Sequence, residues 1–99
     1  MKKMVEERKE IRKEITHVYD TIEPMLINSK FEDVNNLYKN IDVDKITNTA
    51  LVSMMSIMMR WKKYLDKDVI KDFYDRTYTR FLKEFNEEEV KSIFEGWEC

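Results

Sequence analysis

A single glycine, Gly96, and a single proline, Pro24, are all that this chain of 99 residues has for tight turns. β-Hairpins turn on Gly, Asn-Gly or Pro-Gly pairs, and none of those pairs is present. The apolar residues must therefore be buried by helices joined through short polar connections. The expected architecture is all-α: a compact bundle of about five helices in one domain spanning residues 1–99, with a long charged N-terminal helix and an apolar, Met-rich central helix. With 42% hydrophobic and 38% charged residues, the chain is too apolar for a disordered segment and too charged for a membrane protein.

The apolar periodicity locates the helices. Met4, Ile11, Ile15, Val18 and Ile22 make a heptad-like stripe, which predicts a first helix from Lys2 to Ile22. Pro24 is expected to break or restart it. Ser29-Lys30-Phe31-Glu32 reads as a capping box opening a helix that carries Phe31, Val34, Leu37, Tyr38 and Ile41. Asp42 or Asp44 is expected to cap the next helix, with Ile46, Ala50, Leu51, Met54, Met58, Trp61 and Leu65 inward. Between Ala50 and Met59 only Ser53 and Ser56 interrupt the apolar residues, and a helix apolar all round is central or shared between subunits. Asp66 or Asp68 starts a fourth helix with Val69, Ile70, Phe73, Tyr74, Phe81, Leu82 and Phe85 inside. Asn86-Glu87-Glu88-Glu89 is a second capping box, for a short helix carrying Val90, Ile93, Phe94 and Trp97 and ended by Gly96.

Catalytic signatures are scarce. His17 is the only histidine, and Glu14-Ile15-Thr16-His17 fits Glu-x-x-His, a motif that dinuclear helical sites need twice. Ser53 and Ser56 lack a strand-turn-helix elbow and are better suited to bonding back to the preceding turn. One glycine near the end excludes a phosphate-cradling loop. The lone cysteine, Cys99, fits a reducing compartment. Met1–Glu14 has no apolar run of the signal-peptide type, and the Ala50–Met59 run is about half a membrane span. These features predict a non-enzymatic, cytosolic protein with no cofactor, no metal and no membrane contact. Abundant Lys, Asn, Ile and Asp suit an AT-rich genome, such as that of a bacterium or its phage, and the style is that of small phage accessory proteins.

Two groups of residues stand out as binding candidates. The first lies between residues 60 and 83, where eight Lys and Arg outnumber four Asp, ahead of an acidic C-terminal stretch. Arg60, Lys63, Arg76, Arg80 and Lys83, with Tyr64, Tyr74 and Tyr78, suggest a groove for a partner, a nucleotide or a nucleic-acid backbone. A pI near 5.5 weighs against general nucleic-acid affinity, and Asp72–Arg76 and Arg80–Glu84 fit intrahelical pairs. The second group is apolar: Val52, Met55 and Met59, together with Met4, Ile11 and Ile15, as a seam for self-association, most simply as a two-fold dimer. The leading expectation is a protein-interaction module of inhibitor or adaptor type acting as a helical homo-oligomer. The alternative is a nucleic-acid or nucleotide binder using the basic-aromatic segment.

Overall fold

The computed structural model describes the backbone of residues 2–97 and the side chains of residues 12–97. Among the described residues five α-helices follow one another: α1 (Lys2–Ile27), α2 (Phe31–Asn40), α3 (Asn48–Arg60), α4 (Lys67–Leu82) and α5 (Glu87–Phe94). Short 3₁₀ turns at Val43–Lys45 and Lys62–Tyr64 carry the chain into and out of α3, and no strand occurs among the described residues. The all-α bundle with a long first helix is the architecture that the scarcity of glycine and proline implies. No helix of the described residues is long and apolar enough to cross a membrane.

α3 lies at the centre, packed along α1, while α2 and α5 each pack against α4. Glu14 of α1 accepts a hydrogen bond from Thr47 at the start of α3, and Arg60 at its end pairs with Glu23 at 3.4 Å. The two helices thus run in the same direction, and the part of α1 before Glu14 extends past the start of α3. At 1.5 Å per residue α1 is about 39 Å long, close to the longest dimension of the molecule, 43 Å.

The core joins Ile22 and Leu26 of α1, Val34 and Tyr38 of α2, most of α3, and Ile70, Phe73 and Phe81 of α4. The buried Tyr38 ring meets Phe73 edge-on at 4.8 Å, and its hydroxyl donates to the Met54 carbonyl at 2.7 Å. Burial pushes the phenol far above its ordinary range, so it stays a neutral donor. α5 docks through Phe94, which meets Tyr74, Tyr78, Phe81 and Trp97 in edge contacts of 5.0–5.9 Å. Asn86 and Glu89 form the anticipated reciprocal capping box at the start of α5.

Several boundaries differ from the sequence expectation. α1 does not stop at Ile22 but continues through Pro24 to Ile27. Pro24 and Asp20 are both exposed, so the carbonyl that loses its partner faces water, while burial of Ile22 and Leu26 holds the last turn in place. Ser29 is not an N-cap. It takes the left-handed conformation at φ 60° and ends α1, with Ser29 N–H donating to Leu26 and Lys30 N–H to Met25. This is a Schellman terminator with serine where glycine is usual.

α3 is capped by Thr47, whose hydroxyl accepts from Ala50 N–H, and not by Asp42 or Asp44. Asp42 instead caps the 3₁₀ turn, accepting from Asp44 N–H. Trp61 and Leu65 lie beyond the end of α3, and Asp66 precedes α4 without a side-chain cap. The buried stripe of α4 is Ile70, Phe73, Thr77 and Phe81, which rotates Leu82 outward. Gly96 follows α5 without a positive φ, so it is not a left-handed terminator.

Candidate functional site

The basic-aromatic segment does not form one surface. Residues two apart on a helix point about 200° apart, so α4 sends Arg76 and Arg80 to one side and Tyr74 and Tyr78 to the other. Arg76 donates to the carbonyls of Tyr38 and Ile41 at 2.6 and 2.7 Å and pairs with Asp72 at 2.9 Å. Arg80 donates to the carbonyls of Val43 and Ile46 at 3.2 and 3.5 Å and pairs with Glu84 at 3.2 Å. Both guanidiniums therefore satisfy carbonyls at the end of α2 and in the link to α3, where no helical partner exists. Tyr74 and Tyr78 are committed to Phe94.

Lys83 stays beside the two arginines, and the rest of the segment lies elsewhere. Lys83 reaches Asp44 at 3.5 Å. Arg60, Lys63 and Tyr64 lie at the end of α3, where Tyr64 is 56% exposed and stacks on Phe31 at 5.1 Å. Arg76, Arg80, Tyr74 and Tyr78 are thus fold-holding contacts. Arg76, Arg80 and Lys83 line one shallow depression together with Asp42, Asp44 and Asp75, and the other five of the eight residues lie elsewhere. The i, i+4 pairs read from the sequence are formed, but the carbonyl acceptors are fixed only by tertiary structure.

The apolar candidates divide as well. Met55 is 0% exposed, with Met54 and Met58 also buried, so the Met-rich face of α3 is covered by the chain's own helices and Met55 does not form an open seam. Met59 is half-buried, whereas Val52 is 37% exposed. Met4 and Ile11 lie outside the residues whose side chains are described, as does Cys99. Ile15 and Val52 come together with Phe85 and Ile93 around a shallow depression of about 290 Å³. Four separate parts of the chain each contribute an apolar side chain there, and Asn48, Thr49 and Ser53 edge it. Periodicity places Phe85 and Ile93 on the inner side, and the fold leaves both half-buried against the core beside Val52.

Ser53 and Ser56 donate back to the carbonyls of Thr49 and Val52 at 2.9 and 3.0 Å, the helix-internal bonding expected of them. Glu14 is engaged by Thr47, and no group of three His, Cys, Asp or Glu that would hold a metal occurs among the described residues. Compared with known proteins, the chain matches no family, no curated sequence and no solved structure.

Proposed function

We propose that this chain is a small non-enzymatic protein-interaction module that pairs with a second copy of itself through the Ile15–Val52–Phe85–Ile93 depression. The observation that carries the reading is Val52, an aliphatic residue left 37% exposed on a central helix whose other apolar residues are buried or half-buried. A concave apolar patch contributed by several helices is a surface that gains from being covered. On α1, Met4 and Ile11 precede Ile15 at spacings of seven and four, so the apolar stripe continues along the part of the helix that outruns α3.

Charge supports a second copy as the occupant. Lys2, Lys3, Arg8, Lys9, Arg12 and Lys13 outnumber Glu6, Glu7 and Glu10 on the leading part of α1. Glu87, Glu88, Glu89 and Glu95 outnumber Lys91, which pairs with Glu87, so α5 and its C-cap are acidic overall. A two-fold arrangement would set each basic leading helix against the acidic α5 of the other copy. The intramolecular use of Arg76 and Arg80 counts against the nucleic-acid alternative. An inhibitor or adaptor role would use the surface left open by pairing.

Zero-length cross-linking of mixed isotopically light and heavy protein tests this reading. The expected result is mixed-isotope links between lysines of the leading part of α1 and glutamates of α5. Links confined to one isotope would overturn it.

A further inference from the structure

A second concavity, of about 370 Å³, lies on the face of α3 opposite Val52, between α1, α2 and the start of α3. Its floor and walls are apolar: Val18 and Ile22 of α1, Leu37 and Ile41 of α2, and Ala50 and Met54 of α3. Ala50 is the only alanine in the chain, and its small side chain leaves the floor recessed. The volume falls in the range of small-molecule sites, which combine an apolar lining with a few placed polar groups.

The polar atoms nearest the floor are already used. Thr47 donates to Glu14 and accepts from Ala50 N–H, and Thr21 donates to the His17 carbonyl. A sugar or base would find few hydrogen-bond partners inside, so the lining suits a hydrocarbon body. At the rim stand Lys45 and His17, both exposed, and neither side chain has an ion-pair partner among the described residues. Glu14 is also at the rim, its carboxylate accepting the Thr47 hydroxyl.

We infer that this groove binds a small monocarboxylate with an unbranched apolar tail, the tail lying over Ala50 and Met54 and the carboxylate meeting Lys45 and His17. Ligand and self-association surfaces lie on different sides of α3, so either can fail without the other.

Calorimetric titration of the full chain with octanoate, octanol and octylammonium tests the inference. Octanoate should bind saturably and at least about tenfold more tightly than octylammonium. Ala50→Phe, which fills the floor, should abolish binding, and Lys45→Glu should reverse the preference between octanoate and octylammonium. Lys45 is exposed, so its variant carries the test if Ala50→Phe does not fold. No saturable octanoate binding, equal affinity for the two charged probes, or a preference unmoved by Lys45→Glu would overturn it.

Discussion

The Arg76 guanidinium donates to the Tyr38 carbonyl at 2.6 Å, tying α4 to the C-terminal turn of α2. Tyr38 in turn holds α3 through its hydroxyl on Met54, so one arginine and one tyrosine link three helices. Replacing Arg76 by Ala would leave the carbonyls of Tyr38 and Ile41 without their charged donor. The expected loss is about 2–3 kcal/mol, which a chain of this size registers as a fall in Tm of roughly 10–20 °C. Urea unfolding of the variant checks it. Arg76→Lys should recover only part of the loss, because an ammonium does not present the planar fork that spans both carbonyls.

Ser29 pays a conformational penalty in the left-handed region that glycine would not. Ser29→Gly keeps both terminator bonds, which are made by the backbone, and relieves the Cβ clash. A gain of about 0.5–1 kcal/mol is expected, net of glycine's greater freedom in the unfolded chain. Ser29→Val should move stability the other way, and thermal melts of the pair give the comparison.

Thr77 is fully buried between Phe73 and Phe81 on the inner stripe of α4, and its hydroxyl has no hydrogen-bond partner. Valine has nearly the same shape without the polar atom. Thr77→Val should therefore stabilise the protein by about 1 kcal/mol, the cost of desolvating an unpaired hydroxyl. An unchanged or lower Tm would show that the hydroxyl is bonded in solution.

Glu84 has its acidity set by the fold. The Asn48 side-chain amide, at 2.9 Å, and then Arg80 hold its carboxylate below the ordinary glutamate range. A depressed folded value contributes stability that is fully present above the ordinary glutamate value and is lost as pH falls through the folded one. The difference in Tm between the wild type and Glu84→Gln should thus be widest near neutrality and close progressively in acid. A difference independent of pH would remove the carboxylate from this role.

The residues that could be read in advance are those governed by period and local capping. Val34 and Tyr38, Ile70, Phe73 and Phe81, and the Asn86–Glu89 box follow from spacing, because burial of one helix face and reciprocal capping are local demands. Ser29 and Pro24 depart from their local pattern because tertiary burial of Ile22 and Leu26 carries α1 one turn further than local preference would. Arg76 and Arg80 look like a binding face in the sequence, since carbonyls some 35 residues away leave no trace in local pattern. Met55 looks like a seam residue in the sequence, since a helix apolar all round does not say which neighbour covers which side. Val52 was part of the same stripe, and only the packing of α1, α4 and α5 separates the two.

Val52→Glu examined by sedimentation equilibrium tests the central claim most directly. Val52 is already partly exposed, so the charge should leave the helical fold and Tm nearly unchanged. The account predicts a wild-type mass near twice 12.2 kDa at micromolar concentration and a monomer for the variant. A wild type that sediments as a monomer throughout, or a variant that remains a dimer, would contradict it.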